Sequence, residues 1–190
     1  MKLALFGGTF DPSHNAHLTV AREAADQFHL DQVRFIPAAH PPHKSDHTGA
    51  SYEDRFRMVE VACQADARFI ASRLEAGQGK SYSVDTVERV RALGEQPYFI
   101  IGADAFAEIT SWHRWQDLVR LTEFIVVTRP GHRYATPAEA RVHRLETVAL
   151  PVSSSDIRRQ LAEGKIPPDL PPAVGRYIAE HSLYQPAPIL

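Results

Sequence analysis

The sequence predicts an α/β fold, a doubly wound parallel sheet with helices on both faces. Two observations support this prediction. Short apolar runs that end at glycine or proline alternate with longer segments in which apolar residues recur at helical spacing. The first forty residues already form the pattern strand, helix, strand, which is a βαβ unit with a right-handed crossover. We therefore expect a single domain over residues 1–190, with a small C-terminal helical part at 153–190.

The first half of the chain contains three predicted strands and three predicted helices. Residues 3–6 are apolar throughout and are followed by two glycines, which is typical of a buried parallel strand. Ser51, with the acidic pair Glu53 and Asp54, indicates a helix start. In chain order we predict strand 3–6, helix 15–28, strand 32–36, a loop at 37–50, helix 52–66, strand 68–74 and helix 83–93.

The second half continues the alternation and ends in a helical tail. In chain order we predict a strand at 98–101, a helix at 115–121, a strand at 124–127, a short extended piece from Val148 and a helical tail from Ser153. The prolines within residues 167–172 interrupt this tail. They predict a rigid turn between two helices rather than a linker between domains.

Composition and charge limit the classes of function. The formal net charge of −2 and the pI of about 6.5 argue against a non-specific nucleic-acid binder. The single cysteine, Cys63, excludes an internal disulfide and fits a reducing compartment. It lies on the apolar side of a predicted helix, so we expect a small buried side chain rather than a reactive thiol. The apolar run after Lys2 is too short for a secretion signal, and no run approaches the ~20 residues of a membrane span, so we expect a cytoplasmic protein.

Ligands of an open parallel sheet bind beyond the carboxyl ends of its strands, so the segments that follow strands are the candidates for a site. Gly7, Gly8 and Thr9 follow the first strand directly. Glycines at this place allow the backbone to approach a ligand and leave N–H groups free for phosphate oxygens. The spacing matches neither G-x-G-x-x-G nor a P-loop, which argues against a dinucleotide-dependent dehydrogenase and a P-loop enzyme.

His14 and His17 lie three residues apart at the start of a predicted helix. This spacing places both imidazoles on one helix face, near the positive end of the helix dipole. Beside a glycine turn they suit the neutralisation of charge on a phosphoryl group, and imidazole becomes cationic readily once a phosphate is close. Two rival interpretations stay open: the pair binds a metal, for which H-E-x-x-H would be the expected pattern, or it caps the helix at the surface.

Residues 10–17, FDPSHNAH, resemble the (H/T)-x-G-H signature of the nucleotidylyltransferase superfamily. Further matches in the same order make the whole chain similar to bacterial nicotinate-nucleotide adenylyltransferases. They are GGTFDP at 7–12, PPHK at 41–44, SYSVDT at 81–86, IIGAD at 100–104, SW at 111–112, TRPG at 128–131 and VSSSDIR at 152–158, followed by GRYI and SLY near the C-terminus. The resemblance covers essentially the full length and implies a Rossmann-like sheet.

The resemblance implies a reaction of NAD biosynthesis, the transfer of AMP from ATP to nicotinate mononucleotide to give deamido-NAD and pyrophosphate, with Mg²⁺ assisting. The partners would be these small molecules, with no nucleic acid and no membrane. The attacking phosphate is already an anion and needs no general base. Catalysis would therefore consist mostly of alignment and of charge stabilisation at the α-phosphorus.

The resemblance also implies roles for individual residues. Those in catalysis are His14, His17 and Lys44. Those at ATP are Gly8, Thr9, Phe10, Gly102, Asp104, Ser153, Ser154, Ile157 and Arg158. Those at the nicotinate nucleotide are Tyr82, Ser83, Thr86, Trp112 and Arg129, with no metal ligated by the protein itself.

Several of these roles have a structural alternative. Lys44 could be a solvated loop lysine, and Tyr82 could be a packing residue. Ser153 with Asp156 forms a helix cap, and the capping geometry is itself what creates an anion site, because it leaves backbone N–H groups free. Arg129 could serve the nucleotide or a loop end.

Two departures from the family pattern affect the expected catalytic efficiency and not the expected family. Ala16 stands where the signature has glycine, and Ser155 replaces the usual threonine but keeps the hydroxyl. The sequence leaves open nicotinamide mononucleotide or phosphopantetheine as the second substrate, and a nucleotide-binding module without turnover. It also leaves open the oligomeric state and the closure of loop 37–50.

Overall fold

The computed structural model describes residues 1–40, 49–77, 79–80, 82–149 and 152–186. These residues form a six-stranded sheet in the order β3-β2-β1-β4-β5-β6, and every strand pairing is parallel. The strands are β1 (Leu3–Gly8), β2 (Gln32–Pro37), β3 (Phe69–Ala71), β4 (Pro97–Gly102), β5 (Glu123–Thr128) and β6 (Val142–Glu146). The chain builds outward from β1 to one edge and then crosses back to β4, so the predicted doubly wound sheet is confirmed.

Helices cover both faces of this sheet. They are α1 (Asn15–Phe28), α2 (Tyr52–Cys63), α3 (Ser83–Ala92), α4 (Ala103–Ala107), α5 (Trp115–Leu121), α6 (Ser154–Ala162) and α7 (Pro172–Glu180). Alternate strand residues point to opposite faces. Ala4 therefore packs with buried residues of α1, α2, α6 and α7, whereas Leu3 and Leu5 pack with those of α3, α4 and α5.

The switch point of the sheet lies between β1 and β4, where Phe6 pairs with Ile100. The chain leaves β1 toward the face covered by α1 and leaves β4 toward the face covered by α4. A crevice opens where two neighbouring strands send their connections to opposite faces. The segments after Gly8 and Gly102 lie at this crevice.

The structure corrects several predicted boundaries. The last strand is β6 and does not begin at Val148, whose side chain is 84% exposed. β6 is an edge strand with polar residues at most positions, so its apolar signal is weak. α4 and the 3₁₀ turn Ile109–Ser111 are too short to give a helical period. The predicted strand 68–74 shrinks to β3, and the predicted helix 52–66 ends at Cys63.

The structure shows two helices in the tail and a buried cysteine. Two helices, α6 and α7, flank the proline-containing turn, and Pro172 occupies the first turn of α7. Cys63 is buried, and burial raises the pKa of its thiol to about 12. No helix among the described residues is long and apolar enough to cross a membrane.

Candidate active site

A cavity of about 660 Å³ lies at the carboxyl ends of β1 and β4. Its walls include Gly7, Gly8 and Thr9 from the first turn and Gly102 after β4. The cavity is also lined by Tyr82 and Ser83 at the start of α3 and by Ser111, Trp112 and His113. Residues that the sequence assigned to two different substrates therefore face one cavity.

The turn between β1 and α1 depends on close contact between Gly8 and Phe10. Phe10 has a left-handed backbone, with φ of +51°, and its side chain is 2% exposed. A Cβ atom on Gly8 would lie 3.0 Å from the Phe10 ring, so any larger residue there would require the buried ring to move. The Phe10 ring packs against Phe6 and His17, at centroid distances of 5.8 and 4.9 Å. Any contact of Phe10 with ATP would therefore be made by its backbone.

His14 and His17 lie side by side, as their spacing predicted. His14 precedes α1, and its backbone N–H donates to Nδ1 of His17 at 3.2 Å. The two rings stack with centroids 3.7 Å apart and planes 16° apart. Because Nδ1 of His17 accepts a hydrogen bond, the proton of the neutral ring is assigned to Nε2.

Both imidazoles are neutral at pH 7 in this structure. Burial lowers the pKa of His14 to about 4, although the carboxylate of Asp169 acts in the opposite direction. Burial and the neighbouring His14 hold the pKa of His17 well below its ordinary value. His14 is 4% exposed, whereas His17 is only half-buried. His17 is therefore the more accessible donor of the pair.

Asp11 links the turn after β1 to distant segments of the chain, a role that the sequence did not predict. Its buried carboxylate accepts hydrogen bonds from the backbone N–H groups of Gly49 at 2.7 Å and Ala50 at 3.1 Å. It also accepts one from the hydroxyl of Tyr184 at 2.5 Å. These donors are 38 to 173 residues away along the chain, so no local motif indicates them.

The N-terminus of α6 lies against the same turn. The Ser153 hydroxyl accepts from the N–H of Asp156, and the Ser154 hydroxyl donates to the carbonyl of Pro12 at 3.1 Å. Arg158 donates to the carbonyl of Asp11 at 2.8 Å. The predicted ATP residues of α6 are therefore brought to the first turn. Ile157 is 1% exposed, so its backbone is the part that can face a ligand.

Arg55 is a second residue that the sequence analysis missed. It is 1% exposed, and its Nη1 donates to the carbonyls of Thr9 at 2.8 Å and Ala38 at 2.9 Å. Arg55 thus ties the turn after β1 to the segment after β2. Burial lowers the pKa of its guanidinium from the ordinary value, and Asp11 opposes this shift. Helical spacing places Arg55 on the same apolar face of α2 as Met58 and Val59. A charged residue on that face was the sequence signal that could have identified it.

The residues predicted to bind the nicotinate nucleotide lie beside residues that were not predicted. Trp112 is half-buried in the cavity wall, and Tyr82 stacks on His113 at 4.2 Å. Thr86 is buried, and its hydroxyl donates to Glu75 at 2.7 Å. Glu75 lines the cavity together with Lys80, and neither residue was predicted. Both lie in an irregular segment that gives no periodic signal.

Some predicted residues lie away from this cavity. The predicted site residues that do not line the cavity, within the described part of the chain, are Phe10, His14, His17, Thr86, Asp104, Arg129, Ser153, Ser154, Ile157 and Arg158. Asp104 and Arg129 are exposed, at the start of α4 and after β5. Their roles stay predictions. Ala16 is 8% exposed within α1, and its methyl group is accommodated there. Lys44 and the PPHK match lie outside the described residues.

The chain is similar over nearly its whole length to proteins of a known family. A family model described as cytidylyltransferase-like matches residues 5–160. A protein of Solibacter usitatus named "Probable nicotinate-nucleotide adenylyltransferase" is 59% identical over 187 residues, covering 97% of this chain and 100% of that protein. A protein of the same name from Bacillus pumilus is 42% identical, covering 97% of this chain and 98% of that protein.

The solved structure of Plasmodium falciparum nicotinic acid mononucleotide adenylyltransferase complexed with NaAD is similar in fold. It superposes with a TM-score of 0.80 at 19% identity, covering 96% of this chain and 97% of that chain. The same Plasmodium protein complexed with APC gives a TM-score of 0.79 at 18% identity, covering 96% of each chain. At these identities the likeness extends to the fold alone.

Proposed function

The chain belongs to the nicotinate-nucleotide adenylyltransferase family, and we infer from this that it transfers AMP from ATP to nicotinate mononucleotide. The products are deamido-NAD and pyrophosphate. The observation that best supports this reaction is the single cavity between the Gly7–Thr9 turn and the wall containing Trp112. A glycine turn suited to phosphate and aromatic side chains in the walls of one cavity suit the joining of two nucleotides.

The chemical step is a displacement at the α-phosphorus of ATP. A phosphate oxygen of the mononucleotide forms the new P–O bond, and the bond to the bridging oxygen breaks as pyrophosphate leaves. The attacking oxygen carries a negative charge before reaction, so no proton has to be removed. The protein contributes alignment and stabilisation of the charge on the equatorial oxygens.

We assign the principal charge contact to His17. Its Nδ1 is engaged by the N–H of His14, which leaves Nε2–H as a donor of fixed orientation. A donor held in place before reaction stabilises charge at little reorganisation cost. Nδ1 of His14 is buried and has no hydrogen-bond partner among the described residues. We propose that His14 also contacts the ATP phosphates, with a change of protonation state where needed.

We propose that the remaining ATP phosphate contacts come from the start of α6, from Arg158 and from Lys44. Ser153 and Ser154 present hydroxyl and backbone N–H groups at a helix N-terminus, where anions bind favourably. Arg158 already lies beside the first turn. Gly8, Thr9 and Phe10 would contribute backbone N–H groups, and Gly102 with Asp104 would face the adenosine.

Adenylyl transfer from ATP uses a divalent metal, and we propose Mg²⁺. The described groups around the first turn are backbone N–H groups, imidazoles and a guanidinium, and the Asp11 carboxylate already accepts three hydrogen bonds. This donor set fits a cation that enters on the ATP phosphates and keeps several waters, as Mg²⁺ does. When bound, it neutralises charge on the triphosphate.

We propose that nicotinate binds between Trp112, Tyr82 and Ser83, with the indole stacked on the pyridine ring. Lys80 is the only lysine or arginine among the described residues that line the cavity. A cation at this wall favours the carboxylate of nicotinate over the amide of nicotinamide. Thr86 supports the pocket through Glu75.

We place the enzyme in the cytoplasm, where ATP is available and the buried Cys63 thiol stays reduced. The direct test of the proposed function is pyrophosphate release from ATP in the presence of nicotinate mononucleotide. Release and formation of the dinucleotide are expected. The full chain failing to release pyrophosphate with any mononucleotide would contradict the proposal.

A further inference from the structure

Asp11 lies where four separate segments of the chain meet. It belongs to the turn between β1 and α1, and its carboxylate binds the N–H groups of Gly49 and Ala50. Arg158 of α6 donates to its carbonyl at 2.8 Å, and Tyr184 of the C-terminal segment donates to its carboxylate at 2.5 Å. Hydrogen bonds to a buried charge are stronger than those between neutral groups.

Tyr184 is packed into this junction as well as hydrogen-bonded to it. A Cβ atom on Gly49 would lie 2.8 Å from Cε1 of Tyr184 and 3.0 Å from Cδ of Arg158. Glycine is therefore required for this approach. Tyr184 itself has a φ of +58°, an unfavourable backbone conformation for a tyrosine. Such a conformation persists only where surrounding contacts hold it in place.

The Tyr184 hydroxyl is held in its protonated form, in which it can donate a hydrogen bond. Burial and the adjacent Asp11 carboxylate raise the pKa of its hydroxyl above the ordinary value. The hydroxyl therefore stays protonated throughout the pH range of enzyme assays and keeps its hydrogen bond to Asp11.

We propose that Tyr184 is a positioning residue for ATP, acting through Asp11 on the β1–α1 turn and on Arg158. This inference rests on the adenylyl transfer proposed above. Nη1 of Arg158 lies 3.9 Å from Oδ2 of Asp11. When the tyrosine hydroxyl is removed, the carboxylate loses a donor and draws this guanidinium toward itself. The guanidinium is then withdrawn from the phosphates, and the backbone of the turn loses its anchor.

Tyr184→Phe and Tyr177→Phe form a matched pair of variants. Tyr177 also donates to a carboxylate, Asp54 at 2.9 Å, and also joins the C-terminal region to the rest of the protein. It does so outside the β1–α1 turn. Both changes remove one hydroxyl and keep the ring, so a general loss of C-terminal packing would affect them equally.

The experiment measures the KM for ATP, the KM for nicotinate mononucleotide and the kcat of wild type and both variants. We expect Tyr184→Phe to raise the KM for ATP roughly tenfold and to leave the KM for the mononucleotide within about twofold. Tyr177→Phe should change neither. KM does not depend on the concentration of folded enzyme, so partial unfolding would not change the difference between the effects on the two KM values.

Equal behaviour of the two variants, or an equal rise of both KM values in Tyr184→Phe, would overturn the inference. The dissociation constant of ATP, measured by calorimetry on the full chain, distinguishes failure of this inference from failure of the proposed function. Wild type that binds ATP but transfers no AMP refutes the function, whereas Tyr184→Phe with unchanged ATP affinity refutes the inference. Gly49→Ala, which pushes the Tyr184 ring away, provides a second variant and should also weaken ATP binding selectively.

Discussion

The backbone N–H of His14 donates to Nδ1 of His17 at 3.2 Å while the two rings stack at 3.7 Å. One histidine thereby fixes the tautomer of the other. A sequence spacing of three accounts for the shared helix face. The structure adds that the pair is held neutral by burial and that His17 is the more accessible member.

Replacement of His17 by alanine tests its role in the chemical step. We expect kcat to fall by roughly 10²- to 10³-fold, because a preorganised donor to the developing charge is lost. The dissociation constant of ATP should change much less. His132→Ala, at an exposed position after β5, is the control and should keep wild-type kcat. Wild-type kcat in His17→Ala would show that the charge contact is made elsewhere.

The buried state of His14 predicts a dependence of stability on pH. Its pKa is about 4 in the folded protein and has the ordinary value of 6.5 in the unfolded chain. Between these values the unfolded chain binds more protons, so the free energy of unfolding falls as the pH falls from 6.5 toward 4. The shift corresponds to at most about 3 kcal/mol.

Urea unfolding at pH values from 7 to 4 measures this contribution. His14→Gln cannot titrate, and it should lose less free energy of unfolding across the window than wild type. His132→Gln should behave like wild type, because His132 is exposed. Parallel pH dependences in wild type and His14→Gln would contradict the burial effect.

Arg114 joins α3, which begins at the cavity wall, to α5, which follows the wall residue Trp112 in the chain. Its guanidinium binds Glu88 of α3 at 2.6 Å and Asp117 of α5 at 2.9 Å, and its backbone φ is +51°. We expect Arg114→Gln to raise the KM for nicotinate mononucleotide by about three- to fivefold, because the wall containing Trp112 loses its tie to α3. The KM for ATP should stay unchanged.

Arg68→Gln provides the matched control for Arg114. Arg68 also binds two carboxylates, Asp66 and Asp26, both at 2.7 Å, but it lies beside the edge strand β3. Steady-state kinetics on both variants measures the two KM values. A shift of both KM values in Arg114→Gln, or the same shift in Arg68→Gln, would contradict a local effect on the cavity wall that contains Trp112.

Lys80 should contribute to the choice between the two pyridine nucleotides. We expect Lys80→Met to lower the preference for nicotinate over nicotinamide mononucleotide by roughly three- to tenfold, since a cation near the carboxylate is removed. The ratio of the two kcat/KM values measures this preference. Lys165→Met, whose lysine pairs with Glu163 on the surface, is the control. An unchanged ratio in Lys80→Met would assign the selection to backbone groups.

The sheet was predictable because its interior strands and long helices have strong periodic signals. β1 and α1 follow directly from the apolar run at residues 3–6 and from the helical spacing after His14. β6 and α4 were not predictable, because an edge strand with polar residues and a helix of five residues lack such a signal.

The sequence predicted the site residues that lie close together in the chain, but not the hydrogen bonds that join distant segments. The glycine turn, His14 and His17 are close in sequence, so spacing alone brings them together. Asp11 with Tyr184 and Arg55 with Thr9 are joined only by the tertiary fold. The position of Asp104 after β4 followed from the sequence, but the direction of its side chain did not.

Transfer of AMP to nicotinate mononucleotide is the measurement that tests the central claim most directly. The full chain is incubated with ATP, Mg²⁺ and nicotinate mononucleotide, nicotinamide mononucleotide or phosphopantetheine, and released pyrophosphate and the adenylylated product are quantified. We expect release with nicotinate mononucleotide, accompanied by deamido-NAD, at a rate well above that with the other two. No release with any acceptor, or a clear preference for phosphopantetheine, would contradict the account.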